Sequence, residues 1–314
     1  MINKKDKIFL AGHRGLLGSA IYRNLKNYGY NNIITVTKSK LDLRNQRLVN
    51  NFIKKKKPKL VIIAAAKVGG IYANNKYRAE FLYDNLSIQN NLINSSHLNN
   101  VSELIFFGSS CIYPRNSKQP IKEKYLLSGK LEYTNEPYAI AKIAGIKLCE
   151  NYNLQYGRNY KCLMPTNTYG PNDNYNLKTS HFYPALIRKM YVAKIRNKKR
   201  IEVWGTGKAK RELIFVDDIA DACIFFMNKK IKDTLINIGV GKDYSIKYYV
   251  DYLKKKLDFF PKIKYLRKIS DGTPRKLLDI SLAKKYGWKP KTSLEKGTFI
   301  TINEFIKNFN KFRN

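Results

Sequence analysis

Two residues that could carry out acid–base chemistry, Tyr138 and Lys142, stand four positions apart in a segment with a helical pattern. Side chains at this spacing share one face of a helix, so the lysine ammonium would lie beside the tyrosine phenol. A nearby positive charge lowers the pKa of a phenol, and the tyrosine could then exchange a proton with a carbonyl or an alcohol. Ser109 follows a predicted strand and could hydrogen-bond the same oxygen atom. The pattern therefore predicts reduction of a carbonyl or oxidation of an alcohol.

A glycine-rich loop lies between the first predicted strand and the first predicted helix. Gly12, Gly15 and Gly18 follow the spacing GxxGxxG. Glycines allow a tight turn and let a pyrophosphate approach the helix N-terminus, where free N–H groups and the helix dipole favour anions. The sequence therefore predicts a dinucleotide-binding loop made of Gly12, His13, Arg14, Gly15, Leu16, Leu17 and Gly18.

The end of the second predicted strand indicates which dinucleotide is bound. An NAD site usually places an acid there to hold the ribose 2′-hydroxyl, but residues 36–40 read VTKSK and contain no acid. Arg14 and Lys38 would suit a 2′-phosphate, so NADP is favoured over NAD. The alternative is that Lys38 is one more surface lysine among 46. We interpret Asp42 as an adenine or loop partner rather than as the ribose acid.

The chain has 314 residues, with 60 Lys and Arg against 23 Asp and Glu, and a formal net charge of +37. This charge suggests nucleic acid, but the excess is mostly Lys, whereas base and groove readers favour Arg. The abundance of Lys, Asn, Ile and Tyr is typical of a genome rich in A and T. The run Lys54 to Lys57 is interpreted as a solvated helix end. We therefore predict no specific nucleic-acid partner.

Cysteine usage and the apolar segments favour a cytoplasmic protein. Four cysteines do not make a disulfide framework, and their spacing shows no metal-ligand pattern, so no metal site is predicted. The start of the chain has no signal-peptide pattern. The longest apolar run, Leu60 to Ala66, is too short to span a bilayer, so no membrane association is predicted.

The first half of the chain alternates short apolar strands with helical segments, which predicts an α/β, Rossmann-type doubly wound parallel sheet. Strands are predicted at residues 7–11, 32–36, 60–64, 104–107 and 160–163, and helices at 16–27, 46–53 and 80–98. After residue 166 the pattern becomes less regular. We predict an NADP-binding domain over residues 1–166 and a smaller α+β substrate-binding domain over 167–314, with segments near 213–240 returning to the first.

Eight motifs together resemble the extended short-chain dehydrogenases and, within them, the GDP-L-fucose synthase family. They span nearly the whole chain: residues 12–18 (GHRGLLG), 64–71 (AAAKVGGI), 108–114 (GSSCIYP), 135–142 (NEPYAIAK), 164–170 (MPTNTYG), 180–181 (SH), 204–207 (WGTG) and 271–276 (DGTPRK). The resemblance implies conversion of GDP-4-keto-6-deoxy-D-mannose to GDP-L-fucose, by epimerisation at C3 and C5 and then NADPH-dependent reduction at C4. It also implies a homodimer, formed through the helices near residues 80–98 and 138–152.

The resemblance also implies roles for individual residues. The Cys and His that move protons in this family match Cys111 and His181, and Ser109, Tyr138 and Lys142 match the reductase groups. Cofactor contacts are implied, beyond the glycine loop, for Lys38, Asp42, Leu43, Ala64, Lys142, Pro165, Asn167 and His181. Contacts to the GDP-sugar are implied for Asn167, Lys189, Trp204, Arg211, Asp271 and Lys276.

Three alternative functions remain open at this point. A sugar-nucleotide 4,6-dehydratase would carry an acidic pair where this chain has Ser110 and Cys111. A UDP-sugar 4-epimerase would leave Cys111 and His181 without a role. A catalytically silent NADP- or RNA-binding module, suggested by the charge, predicts loss of the reductase groups, yet Ser109, Tyr138 and Lys142 are all present.

Overall fold

The computed structural model describes residues 1–268 and 271–312. Within them the chain forms twelve strands: β1 (Ile8–Ala11), β2 (Ile33–Ile34), β3 (Leu60–Ile63), β4 (Glu103–Phe107), β5 (Asn159–Pro165), β6 (Asn167–Tyr169), β7 (Arg200–Trp204), β8 (Lys210–Phe215), β9 (Leu235–Ile238), β10 (Asp243–Ser245), β11 (Lys262–Leu266) and β12 (Arg275–Lys276). It also forms ten α-helices: α1 (Leu16–Asn27), α2 (Gln46–Lys56), α3 (Ile71–Lys76), α4 (Arg78–Leu98), α5 (Glu136–Tyr156), α6 (Phe182–Ile195), α7 (Val216–Met227), α8 (Ile246–Leu257), α9 (Ser281–Lys285) and α10 (Leu294–Lys307).

Six strands form one parallel sheet in the order β2-β1-β3-β4-β5-β9. Strands β1 and β3 are apolar and buried along their whole length, as expected for strands that are covered on both faces. The strand predicted at residues 32–36 is shorter in the structure, because β2 lies at the edge of the sheet with β1 as its neighbour. The other four predicted strands agree with the structure to within two residues at each end.

Helices cover both faces of this sheet. On one face, Ile21 and Leu25 of α1 share a core with Ile219 and Cys223 of α7. On the other face, side chains of α2, α4 and α5 pack against β1, β3, β4 and β5. This arrangement confirms the predicted doubly wound α/β fold with a parallel central sheet.

The second half of the chain contributes to the same sheet. Strand β9 pairs with β5 in parallel, with Ile236 opposite Leu163. Helix α7 packs against α1, and Trp288 joins the same core. The parallel sheet is therefore built from segments that are far apart in the sequence.

A second group of strands and helices, called the second assembly, lies at the carboxyl edge of the parallel sheet. The parallel sheet and the helices that cover it form the first assembly. Strands β10, β8 and β12 form a small mixed sheet, and β6 pairs with β8. Strands β7 and β11 pair separately, and α6, α8 and α10 pack around these strands. The core is rich in aromatic rings, among them Tyr175, Tyr183, Tyr249 and Phe305.

The two longest helices, α4 and α5, pack against each other and have 21 residues each. Helix α5 has Pro137 in its first turn and ends at Gly157, whose φ is +63°. Buried polar residues such as Asn85 and Gln89 interrupt the apolar side chains of α4. In the described ranges 1–268 and 271–312, each helix is too short or too polar to cross a bilayer.

Candidate active site

A cleft of about 1530 Å³ lies between the two assemblies, at the carboxyl edge of the parallel sheet. Loops that follow β1, β3, β4 and β5 form one wall, and residues of α6, β8 and β12 form the other. Ligands of open α/β sheets bind at this edge, where the direction of the chain connections reverses. In this sheet the reversal lies between β1 and β3, which flank the glycine loop.

The glycine loop forms a close turn at the start of α1. Gly12 has a φ of +90°, and a β-carbon there would lie 2.6 Å from the backbone nitrogen of Ala65. A β-carbon on Gly18 would overlap the Gly12 carbonyl oxygen, so Gly18 lies beneath the loop. Helix α1 begins after Gly15, which has no capping side chain. The first N–H groups of α1 are therefore free to bind an anion such as a pyrophosphate.

Two cationic side chains lie at the same end of the cleft as the glycine loop. Arg14 and Lys38 both line it and are exposed, so their charged groups can turn toward a ligand. The Arg14 carbonyl oxygen accepts a hydrogen bond of 2.8 Å from Asn172, which fixes the backbone of the loop. Burial and the charge of Arg14 lower the pKa of His13, so this imidazole is neutral near pH 7.

A chain of ion pairs that the sequence analysis missed connects the loops after β2 and β3. Asp42 accepts from Arg44 at 2.7 Å, and these hydrogen bonds lower the pKa of Asp42 to about 2. Arg44 also donates to Asp84 of α4 at 3.1 Å, and Lys67 reaches the other Asp84 oxygen at 3.1 Å. Local sequence pattern could not identify these pairs, because Asp84 lies 40 residues from Arg44.

Ser109 and Cys111 lie in a short turn directly after β4. The Ser109 hydroxyl oxygen accepts from the Cys111 backbone N–H at 3.5 Å, and the Ser109 side chain is half-buried on the cleft wall. Cys111 is buried. Burial raises the pKa of the Cys111 thiol, whereas Lys276, Ser109 and Lys142 act in the opposite direction.

Tyr138 and Lys142 lie on one face of α5, and both line the cleft. The Lys142 ammonium is buried and lies 5.8 Å from the centre of the Tyr138 ring. Burial lowers the pKa of Lys142 to about 8. The sequence pattern predicts a lowered pKa for Tyr138, and this is wrong for the protein without ligands: burial, with a smaller contribution from Cys111, raises that pKa above its ordinary value, so the phenol carries its proton at neutral pH.

His181 immediately precedes α6 on the opposite wall. Its imidazole is exposed to the interior of the cleft, and desolvation by the surrounding walls lowers its pKa, with a smaller contribution from Lys276. Because Lys276 influences the pKa values of both Cys111 and His181, it lies near the acid–base groups as well as near Arg211. The resemblance had implied only a contact with the GDP-sugar for Lys276.

The far end of the cleft holds the other residues predicted for GDP. The Lys189 ammonium lies 5.4 Å from the centre of the Trp204 ring, and Trp204 is 41% exposed. Arg211 is buried and donates to the Asp271 carbonyl oxygen at 2.8 Å. The Asp271 carboxylate accepts from the Thr206 backbone and hydroxyl at 2.8 and 2.6 Å. This end of the cleft therefore combines cations with an apolar ring face.

The remaining predicted contacts also face the cleft. Leu16, Leu17, Leu43, Ala64 and Pro165 line it, and Asn167 lines it while donating to the Glu212 carbonyl oxygen at 3.0 Å. Across residues 1–268 and 271–312, no three His, Cys, Asp or Glu side chains are grouped so that they could hold a metal ion.

The chain is similar over most of its length to one protein family and to several known enzymes. The model of the NAD dependent epimerase/dehydratase family matches residues 8–239. The GDP-L-fucose synthase 1 of Arabidopsis thaliana is 47% identical over 98% of this chain and 95% of its own length. The GDP-L-fucose synthase of Escherichia coli K12 is 45% identical over 98% of this chain and 99% of its own length.

A comparison with solved structures gives the same fold. The GDP-mannoheptose C4 reductase of Campylobacter jejuni, solved with NADP bound, superposes with a TM-score of 0.88 and is 38% identical. The match covers 98% of this chain and all of the reductase. The chain therefore belongs to the NAD dependent epimerase/dehydratase family and, within it, to the GDP-L-fucose synthase family.

Proposed function

We propose that this chain is a bifunctional enzyme that converts GDP-4-keto-6-deoxy-D-mannose to GDP-L-fucose, by epimerisation at C3 and C5 followed by NADPH-dependent reduction of the C4 ketone. One observation carries the proposal. Cys111 and His181 line the same cleft as Ser109, Tyr138 and Lys142, so groups for epimerisation and groups for reduction face one substrate.

NADP fits the cofactor half of the cleft. Gly12 lets the loop after β1 pack closely against the Ala65 backbone, and the N-terminus of α1 offers uncapped N–H groups to a pyrophosphate. Arg14 and Lys38 can pair with the 2′-phosphate. The other residues predicted to contact the cofactor all line the cleft, which supports their assignment: His13, Gly15, Leu16, Leu17, Asp42, Leu43, Ala64, Lys142, Pro165, Asn167 and His181.

Epimerisation needs one group to remove a proton from carbon and another to return a proton on the opposite face. The C4 ketone acidifies the protons on C3 and C5, because the resulting charge is delocalised onto the ketone oxygen. Lys276 opposes the rise in the pKa of Cys111 that burial causes, and a neutral His181 can accept a proton near pH 7. The two residues stand on opposite walls of the cleft, which suits attack and return on opposite faces of the sugar.

Reduction uses the groups in the turn after β4 and on α5. When bound, NADPH supplies the hydride that reduces the C4 ketone. Tyr138 gives its proton to the ketone oxygen, and Ser109 stabilises the developing charge on that oxygen by a hydrogen bond. The Lys142 ammonium beside the Tyr138 ring stabilises the phenolate that remains after proton transfer.

The GDP group fits the other end of the cleft. Lys189, Arg211 and Lys276 provide positive charge for the diphosphate, and Trp204 provides an apolar face for the base or sugar. Asn167 and Asp271 supply polar contacts. The residues proposed for the cofactor and those proposed for GDP lie at opposite ends of the cleft. This separation supports a cofactor domain over residues 1–166 and a substrate domain over 167–314, with the segments near 213–240 returning to the cofactor domain.

A second candidate is a C4 reductase that does not epimerise. The likeness to the Campylobacter jejuni GDP-mannoheptose C4 reductase favours it, because that likeness covers 98% of this chain. The identities of 45% and 47% to GDP-L-fucose synthases are higher, and Cys111 and His181 would have no role in reduction alone. We therefore rank the bifunctional reaction first.

Product identification tests both candidates. The protein is incubated with GDP-4-keto-6-deoxy-D-mannose and NADPH, and the product is identified by NMR. GDP-L-fucose is the expected product, with one NADPH consumed for each molecule formed. A reduced sugar without inversion at C3 and C5 would support the reductase alone, and no NADPH consumption by a folded sample would exclude both.

We also propose that the enzyme is a homodimer formed through α4 and α5. These helices bury one side against the sheet core, yet they expose large apolar side chains on the other: Tyr83 is 68% exposed, Leu98 60% and Leu154 79%. Sedimentation of the protein should give the mass of two chains. Leu154→Asp should shift the protein toward one chain, and a monomeric unmodified protein would overturn the proposal.

A cytoplasmic location is proposed for this reaction. All four cysteines are free and buried, which suits a reducing compartment. Fractionation of the source cells should recover the NADPH-oxidising activity in the cytosol, and recovery in the membrane or secreted fraction would contradict the proposal.

A further inference from the structure

The two acid–base groups of the proposed epimerisation reside on separate assemblies. Cys111 follows β4 of the parallel sheet, whereas His181 precedes α6 of the second assembly. Proton removal and return need both groups at fixed distances from one carbon atom, so the contact between the two assemblies next to His181 decides whether they act together.

That contact is made at Gly70, in the loop after β3. The Gly70 backbone N–H donates a hydrogen bond of 2.8 Å to the carbonyl oxygen of Thr179, two residues before His181. A β-carbon on Gly70 would overlap the carbonyl oxygen of Ser180. The backbone of Gly70 has φ −68° and ψ 179°, which any residue adopts, so close approach and not backbone conformation requires glycine here.

Both sides of this contact are held by further hydrogen bonds. On one side, buried Asn74 donates to the carbonyl oxygens of Gly69 and Gly70 at 2.6 and 3.1 Å. On the other side, the Asn176 carbonyl oxygen accepts from the N–H groups of Thr179 and Ser180 at 3.1 and 2.8 Å. Because hydrogen bonds hold both loops, a displacement at Gly70 should move the Thr179–Ser180 backbone and with it His181, the next residue.

We propose that Gly70 is a positioning residue for the epimerisation. Its N–H fixes the Thr179–Ser180 backbone against the parallel sheet, and its lack of a side chain lets His181 stand opposite Cys111 across the cleft. The inference rests on the proposed function, because it assigns a role in the step that Cys111 and His181 carry out.

The proposal predicts that Gly70→Ala separates the two reactions. A methyl group would push the Ser180 carbonyl away and shift His181, and a displacement of about 1 Å lowers such a rate by roughly 100-fold. Ser109 lies in the turn after β4, and Tyr138 and Lys142 lie on α5; all three are outside this contact, so reduction should continue. The expected product is a sugar reduced at C4 without inversion, with NADPH oxidation within about threefold of the unmodified rate.

The experiment compares the unmodified protein, Gly70→Ala and Gly129→Ala with GDP-4-keto-6-deoxy-D-mannose and NADPH, and measures the proportion of GDP-L-fucose by NMR. Gly129 is a matched control, because a β-carbon there would make an ordinary contact of 3.4 Å with Pro114. If the unmodified protein makes no GDP-L-fucose, the proposed function fails. If it does, and Gly70→Ala makes it at the same rate, the role of Gly70 is wrong.

If Gly70→Ala lacks a cooperative thermal transition and is therefore not folded, a second variant tests the proposal. Asn74→Ala removes the side-chain hydrogen bonds to the Gly69 and Gly70 carbonyls without adding volume, and it keeps the backbone bond from residue 74 to Gly70, so it should loosen the contact while the chain folds. We expect GDP-L-fucose formation to fall by about tenfold and NADPH oxidation and the KM for NADPH to change little. The same proportion of GDP-L-fucose from folded Asn74→Ala as from the unmodified protein would overturn the proposal.

Discussion

The Lys142 ammonium donates a hydrogen bond of 2.8 Å to the carbonyl oxygen of Phe107, the last residue of β4. The bond joins helix α5 to the strand that leads into Ser109, so the residues of the proposed reductase step are fixed relative to one another. The Phe106 ring lies 4.6 Å from the same ammonium and covers it from the sheet side. The positive charge is thereby confined close to the Tyr138 ring.

Tyr138→Phe should lower the rate of NADPH oxidation by roughly 10²- to 10⁴-fold, because the phenol is the proton donor to the ketone oxygen. The dissociation constant for NADPH should change little, since the ring remains. Tyr156→Phe is the matched control, because Tyr156 lies on the same helix and is exposed away from the cleft. Steady-state kinetics with the keto sugar provides the measurement, and an unchanged kcat would remove Tyr138 from this role.

Cys111→Ser should abolish inversion while preserving reduction, since a serine hydroxyl ionises far less readily than a thiol and so supplies almost none of the anionic base. NMR of the product should reveal a sugar that is reduced at C4 with its original configuration at C3 and C5. Cys223→Ala is a suitable control, because Cys223 is buried in the core on one face of the sheet. Formation of GDP-L-fucose by Cys111→Ser at the normal rate would contradict the assignment of the base.

Arg14→Ala should raise the KM for NADPH by about tenfold to a hundredfold, the range expected for loss of a charge-assisted hydrogen bond. The KM for NADH should change much less, because NADH lacks the 2′-phosphate. Arg23→Ala on α1, the helix that follows the loop, serves as the control, since Arg23 pairs with Asp217 at 3.0 Å away from the loop. Equal effects on both cofactors would mean that Arg14 does not contact the 2′-phosphate.

Asp173→Asn should stabilise the protein increasingly as the pH rises. Asp173 is buried, and burial raises its pKa to about 8, with a further contribution from Glu304. The folded state therefore binds a proton that the unfolded state releases, so the unmodified protein loses stability as the pH rises from about 4 to about 8. Asparagine carries no such charge. The difference between the two proteins should grow to roughly 2 to 5 kcal/mol by pH 8.

Chemical denaturation at pH 5, 7 and 9 measures this difference in the free energy of unfolding. Asp251→Asn is the control, because Asp251 is a surface residue paired with Lys254 at 3.7 Å. A constant difference between Asp173→Asn and the unmodified protein at all three pH values would mean that Asp173 is ionised in the folded state.

The sequence predicts those features that depend on a local residue pattern, such as an apolar run, or on a short motif. The buried strands follow from apolar runs, and the loop from Gly12 to Gly18 follows from glycines between a strand and a helix. Tyr138 and Lys142 face the same cleft because four residues make about one helical turn. The fold class predicted from this alternation is confirmed by the parallel sheet and by the family match.

The features that sequence could not predict depend on pairs that are distant along the chain. The pairing of Arg44 with Asp84, and the contact between Gly70 and Thr179, arise only when loops from separate elements meet. The position of Lys276 close to both Cys111 and His181 is of the same kind. The second strand is shorter than predicted because an edge position, which local pattern does not reveal, limits its pairing.

The insertion of β9 beside β5 has a consequence for how the protein is made. A ribosome releases residues 1–166 long before it releases residues 235–238, so the growing chain holds a five-stranded sheet whose β5 edge is unpaired. An open edge of this kind can pair with other chains, and the face that α7 covers stays exposed until residues 216–227 have been made. The sheet can close only late in translation, and fragments that stop before residue 235 should aggregate.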